Sequence, residues 1–198
     1  MSSEPSRSSP PDPFAAALQR ALVQVSAAVH AVQAVNPVVL VDGRSGSGKT
    51  SLTRALVANW PLRGRVQVVA LDSLYPGWDG LEDGVVLARE QVLGPHARGL
   101  VGVWQRWDWD AGEPAEAHAV DPSLPLIVEG SGILDARTAR LADVRVWLES
   151  PDSSRKRRAL ARDGETYRPH WDRWAEQEER HIARDAPATH ATLVLQVP

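Results

Sequence analysis

The residues Gly43-Arg44-Ser45-Gly46-Ser47-Gly48-Lys49-Thr50 have the spacing G-x-x-x-x-G-K-[ST]. Glycines at those positions let backbone N–H groups turn inward on phosphate oxygens with no Cβ in the way. Lys49 supplies a compact ammonium for β- and γ-phosphates, and Thr50 supplies a hydroxyl for Mg²⁺. A helix starting here adds the free amides and positive dipole end of its first turn, Ser51 included. A flexible Gly/Ser turn is the competing reading, and context decides against it. A buried-type strand runs into the octapeptide and an amphipathic helix leaves it. The glycines do not fall as G-x-G-x-x-G, which disfavours a dinucleotide fold.

Three further stretches carry groups that complete such chemistry. Asp72 ends the apolar run Val68-Val69-Ala70-Leu71. The carboxyl end of a parallel strand faces the ligand crevice, where an acid accepts a proton from an attacking hydroxyl or orients Mg²⁺ through water. A helix cap or turn aspartate is the plainer alternative. Glu129 ends Leu126-Ile127-Val128, the pattern of a carboxylate on the magnesium side. Ser150-Pro151-Asp152 precedes Arg155, Arg158 and Arg162, which share one helical face by spacing. Ser150 suits an N-cap and Pro151 the first helical position. Clustered guanidiniums clamp phosphoryl oxygens bidentately; a solvated basic face is the plainer reading.

These groups need a scaffold. Val38 to Val41 is a continuous run of branched apolar residues, as in a strand buried on both faces. Further strands are expected over 66–71, 126–128, 144–148 and 192–197, with the Asp72 strand beside the phosphate-loop strand. Helical periodicity covers Lys49 to Asn59, with Leu52, Ala55 and Leu56 on one face, and a last helix runs from about His170 to Arg184. Gly164 reads as a hinge between the Arg-rich helix and that last one. Strands alternating with helices predict an α/β domain with a mainly parallel sheet. Before the first strand, Leu18, Leu22, Val25, Val29 and Val32 line one helical face. It packs on its own domain, or it forms a short seam for an oligomer partner.

Composition narrows the class. The 198 residues are 43% hydrophobic and 24% charged, ordinary for a globular protein. A net charge of −3 gives no reason to expect a nucleic-acid partner. Zero cysteines exclude disulfides, thiolate zinc sites and cysteine nucleophiles. No run approaches the roughly 18 apolar residues of a membrane span, and a cytoplasmic location is expected. Trp is used eight times. If Trp107-Asp108-Trp109-Asp110 is extended, its two rings face one side and its two acids the other.

Together the octapeptide, Asp72-Ser73-Leu74-Tyr75, the strand ending Glu129-Gly130 and Arg155-x-x-Arg158-x-x-x-Arg162-Asp163 resemble the uridine kinase and phosphoribulokinase group of P-loop kinases. The resemblance covers about residues 37–185. It implies a P-loop three-layer fold, a five-stranded parallel sheet flanked by helices, with an Arg-rich lid. It implies Asp72 as catalytic base, aided by Lys49, Arg158 and Arg162; residues 43–51 as the ATP site; and Thr50 and Glu129 as the Mg²⁺ ligands. It implies that Tyr75, Trp107, Asp108 and Arg155 contact the acceptor. Leu74 stands where the group carries an aromatic. The Trp107–Asp110 stretch looks like the Tyr-Asp-Trp pattern of less characterised members rather than that of authentic uridine kinases.

The resulting expectation is a disordered tail over 1–13 and one kinase-like domain over 14–198. That domain phosphorylates a small hydroxyl compound, nucleoside-like first of all. A sugar or pantothenate-type alcohol, or a regulatory nucleotide-binding module with no acceptor, are the alternatives.

Overall fold

A computed structural model of the chain describes residues 12–198. The expected tail therefore lies outside the described residues, except Asp12 and Pro13. These belong to the first helix: Asp12 is its N-cap, accepting from Phe14 N at 3.1 Å, and Pro13 its first residue.

Helix α1 (Pro13–Ala31) leads into β1 (Val38–Gly43), the phosphate loop and α2 (Lys49–Ala58). Strand β2 (Gln67–Ala70) is followed by a 3₁₀ turn over Leu71–Ser73. A helical stretch then runs through α3 (Leu81–Leu87), a π-turn (Ala88–Leu93) and α4 (Gly94–Ala97). Strands β3 (Gly102–Asp108) and β4 (Glu113–Val120) form an antiparallel hairpin. Next come β5 (Leu126–Glu129), β6 (Val144–Glu149), α5 (Asp152–Tyr167), α6 (Trp171–Asp185), α7 (Pro187–His190) and β7 (Leu193–Gln196).

The main sheet is five-stranded and parallel, in the order β2-β5-β1-β6-β7. Every residue of β1 and β5 is buried, which is why Val38–Val41 and Leu126–Val128 read as uninterrupted apolar runs before each strand reaches its acid, Asp42 or Glu129. On one face Val25 and Val29 of α1 and Leu52 and Leu56 of α2 pack on Val39, Val41, Ile127 and Val146. On the other, Leu40 and Val128 meet Leu71, Tyr75, Leu81, Ile133 and Trp174. The three layers of an α/β fold result. The apolar stripe of α1 is thus used on its own sheet, not left as a seam.

One expectation about the sheet is corrected. The Asp72 strand, β2, pairs with β5, and β5 lies between it and β1. The register keeps the consequence: Glu129 lies opposite both Ala70 and Val41. Asp72, two residues beyond Ala70, still emerges at the edge where the phosphate loop begins.

Candidate active site

The phosphate loop leaves β1 at Gly43 and closes on α2. Gly46 has φ +77° and no room for a side chain, since a Cβ would lie 2.2 Å from the carbonyl oxygen of Arg155. Only glycine meets both demands. Lys49 Nζ donates to Gly43 O at 2.7 Å, Arg44 O at 3.2 Å and Ser131 Oγ at 3.2 Å. It is buried, and its hydrogen-bond partners among the described residues are carbonyl and hydroxyl oxygens, not a carboxylate. An ammonium held that way, beside the free first-turn amides of α2, fits the oxygens of a nucleotide phosphate.

Thr50 Oγ1 donates to Glu129 Oε1 at 2.8 Å. Burial raises the Glu129 carboxyl above its ordinary value; Asp72 adds to this, while Lys49 and Thr50 pull it back. No group of three or more His, Cys, Asp or Glu that could hold a metal occurs among the described residues. Thr50 and Glu129 alone suit Mg²⁺, which keeps waters and binds through one or two protein oxygens plus phosphates.

Lys49, Thr50, Asp72 and Glu129 line one cavity of about 630 Å³. The Asp72 carboxylate is exposed to it, and the Asp72 carbonyl accepts from Trp109 Nε1 at 2.7 Å. Opposite the loop the wall is aromatic. Trp78 stacks on Tyr167 with centroids 5.4 Å apart and 16° between planes. It also meets Trp109 at 4.8 Å and stacks on His170 at 4.3 Å. Trp174 reaches Tyr75 edge-on at 4.8 Å. Trp107 completes the lining. Tyr75 presents only its ring: its hydroxyl is buried and donates to Ser131 O at 2.8 Å, and burial first, then the surrounding acids, raises its pKa.

Asp108 is not in this wall. β3 ends at Asp108 instead of running on to Asp110, and Asp108 Oδ1 caps the hairpin turn by accepting from Asp110 N and Ala111 N, each at 3.0 Å. Those turn bonds, with Arg106, hold its carboxyl below the usual aspartate range.

The arginine helix also divides its labour. It begins one residue later than the cap pattern implies, with Pro151 as N-cap and Asp152 first. The Ser150 hydroxyl meets Arg158 instead. Arg155 is buried and donates to Ser45 O at 3.0 Å and to Asp152 Oδ1 at 2.5 Å. Arg158 donates to Gly46 O at 2.8 Å and lies 4.5 Å over the Phe14 ring. Both grip the outside of the phosphate loop, and neither lines the cavity. Arg162 alone of the three does. Asp163 first of all, then Asp72, raises its pKa. Gly164 breaks the helical geometry within α5, with φ +58° and ψ −137°, one turn before Tyr167. Arg44 points away from the cavity, 3.3 Å from both Glu178 and Glu179.

Residues that sequence reasoning did not single out complete the site. Tyr167, stacked on Trp78, is central to the aromatic wall. Ser131 sits between Lys49 and Glu178, and Glu178 of α6 accepts from Ser45 N at 2.5 Å. The available signal was polar residues on the packed face of a helix, since Gln177, Glu178 and His181 are buried beside Trp174.

No family model matches the sequence. Over 143 residues it is 28% identical to a uridine kinase from Streptococcus mutans, a match spanning 64% of this chain and 68% of that protein. In fold it superposes on a possible uridine kinase from Bacillus stearothermophilus with a TM-score of 0.67, at 17% identity, over 90% of this chain and 98% of that one. A protein from Silicibacter sp. TM1040, provisionally named a fructose transport system kinase, gives a TM-score of 0.54 at 21% identity over 89% and 98% of the two chains. In sequence the chain is thus similar to a uridine kinase, and in the architecture of its sheet it has the fold of P-loop kinases.

Proposed function

We propose that the protein transfers the γ-phosphoryl group of ATP to a hydroxyl of a small, nucleoside-like metabolite. The observation that carries this reading is the single cavity in which Lys49, Thr50 and Glu129 face Asp72 across from a wall of aromatic rings. In this reading residues 43–51 hold the nucleotide phosphates, and Thr50 and Glu129 hold Mg²⁺, which neutralises phosphate charge when bound. Asp72 aligns the acceptor hydroxyl and takes its proton. Arg162, from the lid side of the cavity, meets the charge that develops on the transferring group. The faces of Trp78, Trp107 and Trp109 suit a flat ring in the acceptor.

No helix among the described residues is long and apolar enough to cross a membrane. A cytoplasmic location, where ATP is supplied, goes with this reading. A panel of nucleosides, sugars and vitamin-like alcohols, assayed for acceptor-stimulated ADP release, tests the reading. Stimulation by a ribonucleoside supports it. Stimulation by a sugar alone moves the acceptor class. ATP binding with no stimulation by any acceptor contradicts it in favour of a regulatory module.

A further inference from the structure

Glu178 sits in the third turn of α6, 2% exposed, in a place where a carboxylate is costly to desolvate. Five groups converge on it. Oε1 accepts from the Ser45 backbone N–H at 2.5 Å, from Ser131 Oγ at 2.9 Å and from Trp174 Nε1 at 3.1 Å. Oε2 lies 3.3 Å from Arg44 Nε and 3.9 Å from Arg155 Nη1. A buried ion pair of this kind adds little net stability over an uncharged residue of the same shape; what it adds best is fixed geometry.

The partners are what make this carboxylate informative. Ser45 is a residue of the phosphate loop. Ser131 accepts from the ammonium of Lys49 at 3.2 Å. Trp174 lines the acceptor side of the cavity and touches Tyr75 and Trp78. The neighbouring Gln177 donates to Trp78 O at 2.7 Å and accepts from Leu81 N at 3.3 Å, which fixes the second ring of that wall to the same helix. One rigid element thus holds the loop, the lysine relay and the aromatic wall.

We infer that Glu178 is a positioning residue. It holds the phosphate loop and, through Ser131, the Lys49 ammonium in register with the acceptor wall, without touching either substrate. The inference rests on the phosphotransfer reading. Misplacement of about 1 Å by a change outside the chemistry lowers a rate by up to about 100-fold, so Glu178→Gln should reduce kcat by about 10- to 100-fold. The nucleotide Kd and the acceptor KM should each move by less than about threefold, because no ligand contact is removed.

The experiment measures kcat per nucleotide-binding site, so that unfolded protein does not count, in the wild type, Glu178→Gln, Ser131→Ala, the double variant, and Glu176→Gln as an exposed control, whose carboxylate meets Arg180 on the surface of the same helix. The expected result is a kcat loss in both single variants, with the Ser131→Ala loss largely absent when Glu178 is already Gln, because the two act in one relay. Glu176→Gln should match the wild type. Equal kcat per site in folded Glu178→Gln, or fully additive losses in the double variant, would overturn the inference. If Glu178→Gln does not fold, Ser131→Ala decides alone, and wild-type kcat in that variant overturns it. A wild type that binds ATP but phosphorylates no acceptor removes the phosphotransfer reading and this inference with it. A wild type that does transfer leaves the variants to judge Glu178.

Discussion

Thr50 Oγ1 donates to Glu129 Oε1 at 2.8 Å, joining the first turn of α2 to the end of β5 across 79 positions of sequence. Burial keeps this carboxyl above the ordinary glutamate value of 4.5. The sign follows from linkage. A carboxyl whose folded pKa is raised penalises the fold once ionised, and the penalty disappears as pH falls below the unfolded value. Glu129→Gln should therefore leave the melting temperature at pH 7 unchanged or raised, while Mg²⁺-dependent nucleotide binding is lost. In the wild type, Mg²⁺–nucleotide affinity should fall on acidification from above the usual glutamate range. Calorimetric titration of both proteins from pH 7.5 to about pH 5 checks this. A drop in melting temperature without a change in Mg²⁺ dependence would contradict it.

Arg158 and Arg162 lie one helical turn apart and make different contacts. Arg158 bonds Gly46 O and Ser150 and covers Phe14, whereas Arg162 faces the cavity. Arg162→Ala should lower kcat by about 100-fold, the scale of one preorganised charge at a developing anion, with little change in melting temperature. Arg158→Ala should instead lower the melting temperature by several degrees, with the loss in turnover following the loss of folded protein. Thermal scans beside initial rates separate the two, and identical behaviour would contradict the division.

Trp109 is carried on the hairpin turn, half exposed, and is held by its bond to Asp72 O and by the ring of Trp78. Losing one aromatic contact to a ring-bearing acceptor costs about 1 kcal/mol, so Trp109→Ala should raise the acceptor KM about fivefold. The KM for ATP should not move. Steady-state kinetics with each substrate varied in turn provide the check.

The parts of this architecture legible in the sequence are those whose cause is local. β1 and β5 are buried on both faces and read as apolar runs, and the phosphate loop is contiguous. The placement of β5 between β1 and β2 is a long-range pairing with no local trace. The β3–β4 hairpin escaped notice because β4 is almost wholly exposed and the residues that alternate along it, Ala115, Ala117 and Ala119, are too small to mark a packed face. Arg155, Arg158 and Arg162 have the spacing of one face, but helix spacing does not say what that face meets: the loop takes two and the cavity one. Glu178 lies in the run Glu176-Gln177-Glu178-Glu179, where only its position under Ser45 sets it apart from the solvated carboxylates of Glu176 and Glu179.

The fate of the γ-phosphate at Asp72 separates a phosphotransferase from a nucleotide-binding module. The direct measurement follows γ-labelled ATP into the acceptor with the wild type and with Asp72→Asn, alongside nucleotide binding by both. Loss of a positioned general base costs about 10²- to 10⁴-fold. Labelled acceptor phosphate is expected from the wild type, and a loss of that size in Asp72→Asn with the nucleotide Kd unchanged. Transfer at the wild-type rate by Asp72→Asn, or label released only to water by the wild type, would contradict it.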